Sequence, residues 1–213
     1  MKDFQEFLQA ASTTHGHRCA GQVLGVRMAQ AALKALGVDP EVERKRLIVF
    51  VETDRCAADA VAWVAEVSLG KRTLKFLDYG KMAATFYDLQ TGRAVRVAAR
   101  ESARERAWDY APSDLDRHAA QLVAYQQMPD EELLTLAEVG VTLSEYDLPG
   151  RPLKVVVCDG CGEGINDNRE VRRNGATLCR SCAGESYYVS LMGPAAGWQA
   201  AGHRTEQRMA RAR

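Results

Sequence analysis

The feature that most constrains this chain is a pair of Cys-x-x-Cys knuckles near its C-terminal end. Cys158 and Cys161 form the first knuckle, Cys179 and Cys182 form the second, and seventeen residues separate them. Tetrahedral zinc takes four thiolates, and short knuckles at the tips of hairpins supply them in pairs. Two disulfides or a redox pair are the alternatives, but the chain opens with a polar segment rather than a secretory signal. We therefore predict one structural Zn²⁺ per chain.

Length and charge limit the classes of protein that this chain can belong to. Its 213 residues suit one medium domain with a small appendage, and 46% hydrophobic residues support an ordinary core. No apolar run approaches the roughly 18 residues of a membrane span, so we expect a cytoplasmic protein that contacts no membrane. Residues 1–150 hold 18 basic and 22 acidic side chains, whereas residues 151–213 hold 10 and 6. This small basic excess argues against nucleic acid as a partner.

Hydrophobic periodicity predicts helices and strands that segregate along the chain. The predicted helices are 3–12, Cys19 to Leu36, a segment capped by Asp54, and most of 101–139, with breaks at Pro112 and Pro129; the predicted strands are 47–51, 73–77, 83–87 and 94–97. Such segregation indicates an α+β fold, in which helices pack on a mainly antiparallel sheet.

The domain organisation follows from a linker rich in proline and glycine at residues 148–152. It separates a predicted α+β domain over residues 1–150 from a small four-cysteine zinc ribbon over residues 151–190. Residues 191–213 are rich in alanine, glycine and arginine, and we predict that they form a flexible basic tail.

A second constellation contains the two remaining cysteines. Cys19 follows His15 and His17 just before a predicted helix, and Cys56 lies at the start of the next helix. Helix N-termini lower the pKa of thiols and hold anions, so these residues predict a metal site or a reactive pocket with Lys81 at its edge. The alternative is that both cysteines pack separately in the core as small hydrophobic residues.

Helical geometry sets a condition on this pocket. In a regular helix His17 and Cys19 would point about 200° apart. Their side chains can converge only if the helix begins at or after residue 18. Gly16, between the histidines, favours convergence because it allows the backbone to bend closely around a ligand.

The segments HGHRCAGQVLGVRMAQAALKALG, VETDRCAADAV, LGKRTLKFLDYGKMAATFY and TGRAVRV together resemble the FmdE family, which is named after a component of formylmethanofuran dehydrogenase. The terminal CDGCGE and LCRSCAG segments are similar to the zinc ribbon that many members carry. The resemblance implies an α+β domain, usually a homodimer, with a pocket around the histidine-cysteine motif. It places His15, His17, Cys19 and Cys56 at the corresponding family positions.

The chain departs from the family pattern at two places. Cys19-Ala20-Gly21 stands where the family commonly has Cys-Pro-Gly. Val67 stands where the family commonly has a third cysteine, so this chain has one pocket thiol fewer. The resemblance therefore implies a divergent pocket.

Three functions are compatible with these residues. The first is a metal- or cofactor-handling accessory protein that supports a molybdenum or tungsten enzyme, with a possible second metal in the His/Cys pocket. The second is a thiol-dependent enzyme acting on a small one-carbon or carbonyl substrate, with Asp59 or Asp78 as the orienting acid. The third is a module that binds protein or nucleic acid through basic side chains of the ribbon and of the tail: Arg169, Arg172, Arg173, Arg204, Arg208, Arg211 and Arg213.

We also predict a homodimer. The helix from Cys19 to Leu36 carries apolar or small residues over most of its circumference, which predicts that one face meets a partner.

Overall fold

The computed structural model describes residues 3–43, 45–189 and 191. The chain divides into two compact units, with the boundary between Leu143 and Ser144. Apart from Leu191, the predicted basic tail lies outside the described residues. In the part of the chain that is described, no helix has the length and apolar character needed to cross a membrane.

The first unit contains six α-helices, one 3₁₀ turn and five strands among its described residues. Its elements in chain order are α1 (Phe4–His15), α2 (Ala20–Leu36), β1 (Leu47–Val51), α3 (Cys56–Val64), β2 (Leu74–Phe76), β3 (Ala83–Asp88), β4 (Ala94–Ala99), α4 (Ser102–Arg106), a 3₁₀ turn (Ala107–Asp109), α5 (Arg117–Gln127), α6 (Asp130–Leu133) and β5 (Leu134–Glu138).

The five strands form one sheet in the order β2-β1-β3-β4-β5. β1 pairs in parallel with β2, and the other neighbours pair antiparallel. Leu47, Ile48 and Val49 of β1 are buried, as an apolar run inside a sheet requires. The predicted α+β class with a mainly antiparallel sheet is confirmed.

Two details of the predicted elements are wrong. Residues 134–138 form the edge strand β5 rather than helix, because the open edge of β4 pairs with them, Val97 opposite Leu136. Asp54 does not cap α3: its side chain is exposed, and Arg55 occupies the N-cap without a side-chain hydrogen bond. Pairing across the sheet therefore outweighs local helix propensity at 134–138.

Helix α2 is the centre of the first unit. Val23, Val26 and Leu33 are fully buried, and α2 packs against α1, α3, α5 and strands β3 and β4. Its closest neighbour is α3, because Gly25 has no side chain: a Cβ there would lie 2.5 Å from the Ala57 carbonyl oxygen. Since the chain itself covers the apolar faces of α2, they do not argue for a partner, and the homodimer stays a prediction.

The second unit is built from two hairpins. A 3₁₀ turn (Glu145–Asp147) precedes β6 (Val155–Val157), β7 (Gly164–Asn166), β8 (Val171–Arg173), β9 (Ala176–Leu178) and a final helical turn (Ser181–Glu185). β6 pairs with β7 and β8 pairs with β9, both antiparallel. Each knuckle follows a strand, so both cysteine pairs lie at hairpin ends, as predicted for a ribbon.

Candidate functional site

The ribbon cysteines form a compact cluster. The sulfurs of Cys158, Cys161, Cys179 and Cys182 all lie within 4.8 Å of one another, and the Cys161 and Cys179 sulfurs are 3.9 Å apart. These four thiols form the ligand set of a structural zinc site, and the compact grouping fits a single ion. The cluster therefore indicates zinc binding at this end of the chain.

Backbone amides point at the sulfurs, as they do around metal-bound thiolates. The amides of Gly160 and Cys179 donate to the Cys158 sulfur at 3.4 and 3.1 Å, and the amide of Cys182 donates to the Cys179 sulfur at 3.3 Å. Burial raises the pKa of Cys158, but the amides of Cys179, Cys161 and Gly160 outweigh it and lower the pKa to about 6. Burial and three neighbouring thiols raise the pKa of Cys161 to about 12. The backbone thus favours negative charge that a cation must balance.

The predicted basic contacts of the ribbon are partly neutralised within the same unit. Arg169 lies 3.7 Å from Asp147 and 3.9 Å from Asp167, and Arg172 lies 3.8 Å from Glu170. The arginines from Arg204 onward lie outside the described residues. The described ribbon therefore presents little free positive charge for an interaction module.

The second constellation lies where α1 ends and α2 begins. His15 is the last residue of α1, and Gly16 follows it in the left-handed conformation with φ 94°, which reverses the chain. α2 begins at Ala20 with Cys19 as its N-cap, so His17 and Cys19 are outside the helix. Donor atoms of His15, His17 and Cys19 consequently lie within 4.8 Å of one another. The helix start therefore satisfies the geometric condition for convergence.

A buried amide holds this turn in place. The Gln22 side chain is fully buried, and its amide donates to the Ala11 carbonyl oxygen at 3.1 Å. Its Oε1 accepts from the Ser12 hydroxyl at 3.0 Å. Because Gln22 is on α2 and its partners are on α1, it fixes the end of α1 that presents His15.

Cys56, at the start of α3, lies beside Cys19 but outside the group formed by His15, His17 and Cys19. Its thiol interacts with that of Cys19. Burial is the main reason that the pKa of Cys56 is raised, and the interaction with Cys19 raises it further. Gly21 makes the approach possible, because a Cβ at this position would lie 3.3 Å from the Cys56 Cβ and 3.8 Å from the Cys19 sulfur. The two cysteines are therefore neighbours rather than separately packed core residues.

Asp59, which the sequence offered as a possible orienting acid, contacts the His15 ring. Its Oδ2 lies 3.1 Å from His15 Nδ1. The sequence had suggested Asp59 only as an orienting acid for an enzyme. The available signal was its spacing of three from Cys56, which places both on one face of α3.

Among the described residues, Lys81 has no contact with the His15, His17 and Cys19 cluster, at whose edge the sequence placed it. Its ammonium group lies 6.0 Å from the centre of the Tyr79 ring, and its backbone amide donates to the Glu52 carbonyl oxygen at 2.9 Å. Val67, at the position of the missing family cysteine, is buried and lines a cleft that also includes His15.

The donor set determines what the body site can bind. Imidazole and thiolate together suit zinc, copper or iron, whereas magnesium and calcium prefer oxygen. His17 is exposed, while His15 and Cys19 are half-buried, so one side of the cluster faces solvent. The residues therefore fit a soft metal ion held at an open surface site.

The fold and both cysteine clusters define a class of protein: an α+β domain with a His/Cys surface cluster, joined to a four-cysteine zinc-finger module. The family described as "FmdE, Molybdenum formylmethanofuran dehydrogenase operon" matches residues 14–135, and the "Prokaryotic dksA/traR C4-type zinc finger" family matches residues 151–188. The chain belongs to the FmdE family, which confirms the resemblance and places a zinc finger at the ribbon.

Two similar proteins extend these matches. A solved structure of a tungsten formylmethanofuran dehydrogenase FmdE-like protein from Syntrophus aciditrophicus aligns with a TM-score of 0.59 and 25% identity, covering 88% of this chain and 96% of that chain. A "Probable S-adenosyl-L-methionine-binding protein" from Archaeoglobus fulgidus is 34% identical over 93 residues, or 42% of this chain. The match spans about a quarter of that relative's length, 25%.

Proposed function

We propose that this protein is a metal-handling accessory protein for a molybdenum- or tungsten-dependent enzyme. The observation that carries the proposal is the body cluster, in which His15, His17 and Cys19 present donor atoms within 4.8 Å of one another. Cys56 adds a fourth soft donor beside Cys19. The descriptions of the matching family and of the similar solved structure support the choice of enzyme class.

The accessibility of the cluster supports handling of an ion rather than permanent storage. Closed structural sites surround their ion with four protein ligands, whereas sites that exchange a ligand keep one side open. Here the exposed His17 provides such a side. The ion would be held by the histidines and Cys19, with Cys56 at the buried side and Asp59 orienting the His15 ring through its hydrogen bond.

Metal counting tests the proposal. We expect the full chain, loaded with Zn²⁺ and freed of excess ion, to bind two metals, one at the ribbon and one at the body cluster. His17→Ala and Cys19→Ser should each reduce the count to one, because either change removes one of the four donors that a tetrahedral ion needs. His118→Ala is the matched control, since His118 is an exposed histidine on α5.

The count also separates the alternatives. One metal per wild-type chain would overturn the accessory function and leave the thiol-dependent enzyme or the ribbon-mediated interaction module. Two metals that persist in His17→Ala would place the second ion elsewhere in the chain and would equally contradict the proposed site.

A further inference from the structure

The face formed by α1 and α3 contains a cleft that the metal site does not explain. Its volume is about 540 Å³, within the roughly 300–1,000 Å³ of small-molecule sites. Its floor is apolar and consists of Phe7, Ala11, Ala62, Trp63, Val64 and Val67. A cavity of this size with a mostly apolar floor fits a small organic molecule better than a lone ion.

Small side chains create the space, and two aromatic rings give it a rigid wall. Ala11 on α1 and Ala62 on α3 both line the cleft, so neither helix fills it. Phe7 and Trp63 meet edge to face, with ring centres 6.1 Å apart and planes at 81°. This contact holds the indole of Trp63 at the cleft wall.

The rim of the cleft is predominantly acidic. Carboxylates of Glu41, Asp59 and Glu66 line it, against the single ammonium group of Lys71. His15 completes the rim, and its bond to Asp59 joins the cleft to the His/Cys cluster. Because the apolar floor is a poor solvent for charge, the excess of carboxylates favours a positively charged ligand.

We propose that this cleft binds a small organic cation that carries an apolar or aromatic group. The apolar part lies on the alanine floor against Trp63, and the cationic centre lies at the carboxylate rim. An apolar or aromatic group packs well against the indole wall, and a weakly hydrated cationic centre loses little hydration when it pairs with the rim carboxylates. Anionic molecules of the same size meet the carboxylates and are excluded.

The cleft's occupant would lie beside the metal cluster, since His15 belongs to both. Binding nevertheless does not depend on a bound metal, because the floor and the three carboxylates are outside the donor set. His17→Ala should therefore retain cation binding while it removes the body metal. The two proposals can fail independently.

Calorimetric titration of the full chain with two aromatic probes of opposite charge tests the cleft. We expect benzyltrimethylammonium to bind and benzoate to bind at least tenfold more weakly. Ala62→Leu should weaken ammonium binding at least tenfold, because the added carbons occupy the floor. Ala35→Leu is the matched control, since Ala35 is an exposed alanine on α2 outside the cleft.

Substitutions of exposed rim residues keep the test valid if Ala62→Leu disturbs folding. Glu66→Gln should weaken binding of the ammonium probe about threefold, and Lys71→Gln should strengthen it by a similar factor. Absence of ammonium binding at millimolar concentration, equal binding of benzoate, or an unchanged affinity in both rim variants would each overturn the proposal.

Discussion

The body and the ribbon each contain a cluster with cysteines, but only in the ribbon do the cysteines belong to the hydrophobic core. In the ribbon, the buried cluster among the described residues is Cys158, Ile165, Leu178 and Ala183, so a ligand is itself part of the core. In the body, Cys19 and Cys56 are half-buried beside a continuous core that runs from Phe7 to Leu134. The body has its own hydrophobic stabilisation, whereas the ribbon has very little.

This difference in core size predicts different roles for metal binding in the two units. A core of four side chains cannot offset the conformational entropy of about forty residues, so the ribbon needs the free energy of metal binding to fold. The body's core is large enough to hold its donor cluster in place before any ion binds. Zinc binding is thus part of folding in the ribbon, whereas the metal proposed for the body would add to a finished fold.

The largest expected effect is the loss of ribbon zinc. Structural zinc sites contribute on the order of 10 kcal/mol of apparent binding free energy, so Cys179→Ser should release the ion and unfold the ribbon. Hydrogen–deuterium exchange of amides 155–178 together with zinc analysis measures this. Cys56→Ser is the matched control and should leave those amides protected. Continued protection in Cys179→Ser would show that the ribbon folds without its metal.

The next effect concerns a buried ion pair in the body. Asp88 is fully buried and accepts from the Arg46 guanidinium at 2.8 and 2.7 Å. Removing one member of such a pair costs several kcal/mol, and we expect about 3 kcal/mol for Asp88→Asn, because Arg46 keeps Glu43 as a partner. Urea unfolding of the body should show this, while the ribbon amides stay protected.

The same ion pair predicts the pH dependence of the body's stability. The Arg46 hydrogen bonds hold the pKa of Asp88 well below its usual value of about 3.9. A lowered folded-state pKa gives stability that is present above the unfolded-state pKa and is lost as the pH falls below it. Asp88→Asn should therefore flatten the acid limb of the stability curve below about pH 4. A curve unchanged from wild type, as expected for the exposed control Asp114→Asn, would contradict the assignment.

The smallest effect on stability concerns the contact between α2 and α3. A Cβ at Gly25 would lie 2.5 Å from the Ala57 oxygen, so Gly25→Ala must push the helices apart, at a cost of about 2 kcal/mol. It should also weaken body metal binding, because Cys19 is the N-cap of α2 and Cys56 is the first residue of α3. Thermal melting and metal titration measure both effects. Gly70→Ala, with nothing within 4 Å of its new Cβ, should change neither.

Local patterns predicted those parts of the molecule whose chemistry is contained in a few neighbouring residues. The spacing of Cys158, Cys161, Cys179 and Cys182 was enough to predict the zinc site, because each knuckle positions its own thiolates. The apolar run at 47–51 likewise predicted strand β1, and the alanine-rich segment before Gly37 predicted helix α2. Residues 134–138 were misread, because an edge strand obtains its hydrogen bonds from β4 rather than from its own segment.

The sequence by itself determined the α+β class, the ribbon with its ligands, and the four side chains of the second constellation. Only the tertiary structure decided that Cys56 meets Cys19, that Asp59 holds His15, and that two alanines on different helices leave a cleft. The physical reason is distance along the chain. The close approach of α2 to α3, made possible by Gly21 and Gly25, joins residues more than thirty positions apart. The spacing of residues along the sequence does not give the distance between two helices.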